Sequence, residues 1–131
     1  MKNKGIQAEP KKDNRFIVEF AGTTIEPWTV TKADRPTYTL GSGWDDISFE
    51  LINLIGPSTS KKVFDEIIGK DMKDCTIFLK MLDPTGVTVE TWSLGGDYLS
   101  VDFGAGDYHR DDISKIKIKF NIKRCYLDGV A

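Results

Sequence analysis

The stretch Ile113-Ser-Lys-Ile-Lys-Ile-Lys-Phe-Asn-Ile-Lys-Arg-Cys-Tyr-Leu127 decides how this chain folds. Ile116, Ile118, Phe120 and Ile122 alternate strictly with Lys115, Lys117, Lys119, Asn121 and Lys123. A period of two places the apolar set on one face of a β-strand and the lysines on the other. At about 3.3 Å per residue the strand outruns the usual length in a small domain. Its backbone edges must pair with something, and a domain too small to cover both of them invites a neighbouring copy.

Upstream, the chain repeats this half-buried pattern. Cys75–Leu82 and Val87–Trp92 flank Asp83-Pro-Thr-Gly86, where proline presets φ and glycine supplies the positive φ that closes a hairpin. Ile47, Phe49 and Leu51 alternate with Asp46, Ser48 and Glu50, and Trp44 anchors the entry to that strand. Phe16, Val18 and Phe20 alternate with Ile17 and Glu19 before Ala21-Gly-Thr23, and Ile25–Val30 resumes the extended pattern, which reads as a second hairpin. Leu94-Gly-Gly-Asp-Tyr98 reads as a turn-like break, Leu99–Phe103 as a short strand, and Gly104–Asp112 as a polar loop.

The pattern predicts one helix, over about Thr59–Ile68. Ser58 or Ser60 accepts from the free first-turn amides, Val63, Phe64, Ile67 and Ile68 form an apolar stripe, and Gly69 stands at the C-cap. About seven strands with one helix inserted between hairpins argue for a mainly β fold: an antiparallel sandwich or barrel with one α-helix packed on its side. Residues 1–14 are polar and rich in lysine, the pattern of a flexible N-terminal arm; residues 15–131 form a single domain, from which residues 31–43 project as an extended loop.

Composition excludes several functions. A chain of 131 residues with 40% hydrophobic content supports one core. A formal net charge of −2 gives no electrostatic case for holding nucleic acid. No apolar run approaches the roughly 18 residues of a membrane span, and Lys2–Lys12 lacks the apolar middle of a signal peptide. The expected site of synthesis is a cytoplasm. Cys75 and Cys125 lack metal-ligand spacing and read as buried thiols, with a disulfide left open. His109 is the only histidine and reads as a loop residue, which rules out most triads unless it is the base, and the chain has no phosphate loop and no nucleophile elbow. The neighbouring carboxylates of Asp45-Asp46 and Asp111-Asp112 point to opposite faces of an extended chain and do not converge on a cation. No catalytic residue, metal or cofactor is expected. A small β-barrel ligand-binding module is the rival reading, with Trp28, Trp44 and Trp92 lining a pocket.

The lysine face of the last strand can be read in two ways. One is a solvated surface that deters edge aggregation. The other sets it opposite acidic strands, within the subunit or across a subunit boundary, with Glu90 or Asp102 as counter-charges.

The order of parts resembles a phage tail tube protein of the contractile-tail type, related to the secreted tube of type VI systems. The resemblance runs from about Phe16 to Leu127. It rests on the Phe-rich first hairpin, the arm at Thr31–Gly43, the Trp44-Asp-Asp-Ile-Ser-Phe strand, the helix after Gly56, the Asp83-Pro-Thr-Gly86 hairpin and the terminal strand ending Cys125-Tyr126-Leu127. It implies a structural subunit, without enzymatic activity, of hexameric rings that stack into a tube and enclose the channel for DNA ejection. In such a tube strands join across subunit boundaries, and Arg35, Pro36, Tyr38 and Leu40 lie between rings. The implied partners are sheath, tape-measure, baseplate and terminator proteins, with DNA only transiently in the lumen, no membrane, and a location in the virion tail. A tube initiator or terminator of the same fold is the nearest alternative. A conduit must not retain DNA, so the face of Lys115, Lys117, Lys119 and Lys123 is expected to be paired with acids or turned away from the channel.

Overall fold

The computed structural model describes residues 10–56, 58–70, 73–109 and 111–129. Among these residues eight strands run in the order β1 (Phe16–Phe20), β2 (Val30–Ala33), β3 (Tyr38–Thr39), β4 (Gly43–Trp44), β5 (Ile47–Ile52), β6 (Cys75–Leu82), β7 (Thr88–Asp102) and β8 (Lys115–Gly129). One short helix, α1 (Thr59–Val63), follows β5 and continues as a π-helical turn over Phe64–Ile68. Six strands form one antiparallel sheet in the order β1-β6-β7-β8-β5-β2, and β3 and β4 form a separate two-stranded hairpin.

The alternation at the C-terminal end sets the core. Ile116, Ile118, Phe120 and Ile122 are buried, opposite the equally buried Ile47, Phe49 and Leu51. In β5 and β8 the pairs Ile47–Phe120, Phe49–Ile118 and Leu51–Ile116 are in register. A slip of one residue would turn every one of these side chains to water. Phe20 of β1 meets Phe49 of β5 edge to face, with ring centroids 5.6 Å apart. Since β1 and β5 lie far apart in the strand order, this contact shows that the sheet folds over on itself. Its two halves enclose one core.

The fold-over happens along β7 and β8. Residues Thr88–Gly96 of β7 pair with β6, and the strand then runs on past it. Residues Lys115–Phe120 of β8 pair with β5, and Asn121–Gly129 run on past β5. One layer is therefore β1, β6, the first half of β7 and the second half of β8. The other is the second half of β7, the first half of β8, β5 and β2. The register shifts at Gly95/Gly96 and again at Tyr98/Ser100, where the sheet bends. This overturns the expected break at Leu94–Tyr98. The two glycines are the corner of a continuous strand and admit a close backbone approach: a Cβ on Gly96 would stand 1.8 Å from the carbonyl oxygen of Asn121.

Two further expectations are corrected. Phe16–Phe20 and Ile25–Val30 do not form a hairpin. β1 pairs with β6, from Phe16–Met81 to Phe20–Ile77, while Pro27–Thr29 is a 3-10 turn and β2 pairs with β5. Pro27 cannot donate to a ladder, and a cleft of about 1060 Å³ remains between β1 and β2, lined by Phe16, Ile17, Trp28 and Val30. The helix begins as expected, with the Ser58 hydroxyl accepting from the Lys61 amide. It ends differently: the Gly69 amide donates to the Phe64 carbonyl over the wider π spacing, and Gly69 keeps right-handed helical angles. Val63 and Ile67 are buried, but Phe64 and Ile68 are exposed, so only half of the expected stripe enters the core.

Of the expected N-terminal arm, residues 1–9 lie outside the described residues. Lys11 donates to Glu90 at 2.5 Å, and Asp13 stands 3.9 Å from Arg35. Glu90 thus meets Lys11 and the Trp92 indole rather than the lysine stripe. Burial pushes the Glu90 carboxyl up, and the hydrogen bonds from Lys11 and Trp92 outweigh it and hold the group below the usual carboxylate range.

Gly96→Ala should lower stability by about 2–3 kcal/mol, read as a lower urea midpoint. Gly106→Ala, whose Cβ meets nothing within 4 Å, should change it by less than about 1 kcal/mol. Because the folded-state pKa of Glu90 is depressed, its contribution is present above the ordinary glutamate value of about 4.3 and is lost as pH falls through the folded value. Glu90→Gln should therefore flatten the stability profile below about pH 5 relative to the parent, measured by denaturation at fixed pH steps; an unchanged slope would contradict the assignment.

Candidate assembly surfaces

Strand edges come first. The layer β1-β6-β7-β8 has β1 at one side and the second half of β8 at the other, and neither outer edge is in a ladder with any described residue. Tyr126 and Leu127, on the free-edged half of β8, are exposed. Charged side chains stand on this layer's outward face as cross-strand or neighbouring pairs. Lys80 meets Glu19, Arg124 meets Asp74 at 2.5 Å, and Lys123 meets Asp97 at 2.8 Å. The hydrogen bond from Lys123, with another from the Asp74 amide, holds Asp97 below the usual range.

The second surface is the hairpin between β2 and β5. Lys32 and Ala33 of the expected loop pair with β5, past a bulge at Thr31, so the chain leaves the sheet only at Asp34, whose carboxylate accepts from the Ser48 amide. Tyr38 stands opposite Trp44, their rings edge to face at 5.0 Å, and Thr39 donates to Asp45. Trp44 in turn packs on Trp92 at 6.5 Å and against the core. Tyr38 (54% exposed) and Leu40 (88%) point outward from this anchored base. Arg35 and Pro36 are half-buried at its root. Arg35 lies 5.8 Å from the Phe16 ring centroid, over its face, and one guanidinium nitrogen has no hydrogen-bond partner among the described residues. The tryptophans do not share a pocket: Trp28 lines the cleft between β1 and β2, while Trp44 and Trp92 pack on each other.

The third surface is the lysine face. Lys115, Lys117 and Lys119 are exposed on β8 where it lies between β7 and β5. Lys115 reaches Glu50 at 3.9 Å, and Lys32 reaches the same carboxylate at 3.8 Å. Lys117 is in register with Glu50 on one side and Asp102 on the other. Lys119 lies between Ser48 and Ser100. Lys123 belongs to the other half of the strand and is paired with Asp97. The structure thus divides the four lysines between the two layers.

Among the described residues no group of three metal-ligating side chains converges, and no helix is long and apolar enough to cross a membrane. Asp45 accepts from Thr39 and Asp46 from Asn121. His109 is exposed, its amide bonded to Asp107. Cys75 and Cys125 are both free thiols, pushed up chiefly by burial. Burial also raises the Tyr98 phenol, which lies edge to face on Phe120 with its hydroxyl unpartnered among the described residues.

Sequence comparison finds no matching family model and no matching curated protein. Structure comparison is informative. A chain of the sheath-tube complex of an extracellular contractile injection system, PVC, in its extended state matches with a TM-score of 0.72 at 17% identity, covering 99% of both chains. A chain of the anti-feeding prophage baseplate, solved with six-fold symmetry, matches at 0.62 with 13% identity, covering 93% of this chain and 97% of that one. A chain of the anti-feeding prophage tube-terminating cap matches at 0.61 with 15% identity, covering 93% of each. The chain therefore has a contractile-tail tube-like fold, a mostly β structure whose antiparallel sheet nearly closes on itself.

Proposed function

We propose that this protein is a non-enzymatic structural subunit of a contractile tail tube, one that closes into six-membered rings and stacks ring upon ring around a delivery channel. The observation that carries this reading is the end-to-end likeness to a chain of a sheath-tube complex, with almost no residue of either chain left over. Strand geometry supplies the means of closure. The free edges of β1 and β8 stand on opposite sides of one layer, so copies can join head to tail, each β8 edge against the next β1. Such a heterologous contact closes into a ring when the rotation per copy fits. It also satisfies backbone groups that no described strand pairs in a single copy.

Stacking falls to the hairpin, through Tyr38 and Leu40, with Arg35 and Pro36 fixing its root and the N-terminal residues beside it. Residues 15–129 act in this as one body, and the segment before Phe16 joins the ring-to-ring contact. In the assembled tail a sheath surrounds the tube, baseplate and terminator proteins cap it, and a tape-measure protein occupies the channel until DNA, in a phage, passes through. A second reading, a tube initiator or terminator, is favoured by the likeness to chains of the AFP tube-terminating cap and of the PVC sheath/tube terminator, the latter at a TM-score of 0.60.

Electron microscopy of the purified protein at high concentration separates these readings. Tubes or stacked six-fold rings are expected; single unstacked rings would move the assignment to the end of the tube, and monomers alone would refute both. Tyr38→Ala removes one edge-to-face pair, worth about 0.5–1.5 kcal/mol, and should leave the fold intact while shortening the tubes. Polymerisation equal to the parent's would remove Tyr38 from the stacking contact.

A further inference from the structure

The two open edges of the β1-β6-β7-β8 layer have a hydrogen-bond parity that follows from the ladders between them. At the ends of the β1–β6 ladder the Leu82 amide donates to the Arg15 carbonyl at 2.9 Å, and the Ala21 amide to the Thr76 carbonyl at 3.1 Å. Antiparallel bonding alternates along a strand, so Ile17 and Glu19 also turn their backbone groups to β6, and Phe16 and Val18 turn theirs away from it. The same alternation runs through the registers Ile77–Leu94 and Leu79–Trp92 to Ser93–Tyr126 and Gly95–Arg124. It turns the backbone groups of Arg124, Tyr126 and Asp128 to β7. Those of Cys125, Leu127 and Gly129 then face outward, where no described strand pairs them. Side chains follow the same period. Phe16, Val18 and Cys125 lie on the core side of the layer, with Leu127 beside the core-packed Trp92. Ile17, Glu19, Arg124, Tyr126 and Asp128 stand on the outward side.

The next step rests on the ring reading, in which the β8 edge of one copy meets the β1 edge of the next. Three antiparallel pairings separate β1 from β8, so the two strands run in opposite directions within the layer. A layer that continues from copy to copy therefore brings them together antiparallel. Backbone parity then allows only registers that differ by steps of two. One of these sets Phe16 opposite Leu127 and Val18 opposite Cys125, all four with open backbone groups. On the outward side the same register sets Ile17 opposite Tyr126, Glu19 opposite Arg124 and, just before β1, Arg15 opposite Asp128. Within one copy Glu19 already meets Lys80, and Arg124 meets Asp74 at 2.5 Å. Joined across the boundary, Lys80, Glu19, Arg124 and Asp74 form one run of alternating sign. A slip of two in one direction sets Ile17 against Asp128 and Glu19 against Tyr126. A slip in the other sets Ile17 against Arg124 and Arg15 against Tyr126. Each slip pairs charged groups with apolar ones.

We propose that a second copy of this chain docks in this one register, Phe16 against its Leu127 and Ile17 against its Tyr126, and that Glu19 with the neighbour's Arg124 fixes it. Exposure agrees with the pairing. Tyr126 and Leu127 are 67% and 51% exposed in a single copy. Leu127 of the neighbour turns to the core side beside Phe16, at the mouth of the cleft where Trp28 is exposed. Tyr126 covers Ile17 on the other side. Cross-strand pairs of these kinds, aromatic with aliphatic and acid with base, are the ones that favour a register.

The test is disulfide trapping in full-length protein that carries Cys125→Ser. Directly opposed residues in a non-hydrogen-bonded pair stand about 4.5 Å apart at Cα, within reach of a disulfide, whereas partners displaced by two stand about 7–8 Å apart. Under mild oxidation Ile17→Cys with Tyr126→Cys should give a ladder of covalent oligomers on non-reducing gels. It should form at least about fivefold faster than with Ile17→Cys and Arg124→Cys, or with Ile17→Cys and Asp128→Cys. A charge cycle on the otherwise unchanged chain gives a second measure. Glu19→Arg or Arg124→Glu alone should lower the assembled fraction about tenfold, and the two together should restore most of it. Faster trapping by either displaced pair overturns the register. Rings seen by electron microscopy that yield no disulfide between positions 17 and 126, or a double charge reversal no better than its single changes, also overturn it and leave the ring reading standing. Parent protein that forms no rings overturns both.

Discussion

Everything else in this molecule depends on the ladder between β7 and β8. Two fifteen-residue strands are paired along nearly their whole length and shared by both layers. A strand of that length cannot stay flat and also cover a small core, because sheet twist accumulates along it. The bend at Gly95–Gly96 resolves this, and it requires the β7 backbone to approach Asn121 more closely than any side chain permits. The stagger of the neighbours follows. β6 covers only the first part of β7, and β5 only the first part of β8. The open edge of β8 among the described residues is thus a consequence of how the core is closed.

How much of this could be read in the sequence depends on the range of the interaction concerned. β5, β6 and β8 alternate strictly with one face buried, and their side chains report it directly. The Asp83–Gly86 turn was equally legible, since Asp83 accepts from Thr85 and Val87 and Gly86 has φ of 88°. Leu94–Tyr98 misleads because adjacent glycines signal a turn when only local chemistry is considered. Their actual cause, the carbonyl of Asn121, lies across the sheet. The partner of β1 is hidden for the same reason: a short strand beside a turn reads as a hairpin, and nothing local announces that β6 is the better match. At the surface the lysine stripe was visible, but its division was not. Whether a lysine on β8 guards an edge or covers the sheet centre depends on where β5 ends.

The two outward faces differ in how their charges are compensated. Around the β1-β6-β7-β8 layer, Glu19 with Lys80, Asp74 with Arg124 and Asp97 with Lys123 neutralise one another at close range. Exposed pairs of this kind contribute little stability. Their effect is on the field, which they cancel over this face. Across the other layer Lys32, Lys115, Lys117 and Lys119 stand with Asp34, Asp46, Glu50 and Asp102, and of these carboxylates only Glu50 forms ion pairs among the described residues.

Charges along the free edges also bear on when pairing occurs. Glu19 stands on β1, and Arg124 and Asp128 on the open half of β8. Charged groups on an edge discourage promiscuous strand addition, because a mispaired neighbour sets like charges against each other or strands one without a partner. They do not prevent pairing with an edge of complementary pattern. The Tyr126 and Leu127 side chains, exposed in a single copy, add an apolar incentive confined to the end of β8. An open edge that is charged at some positions and apolar at others selects for register and against promiscuous pairing.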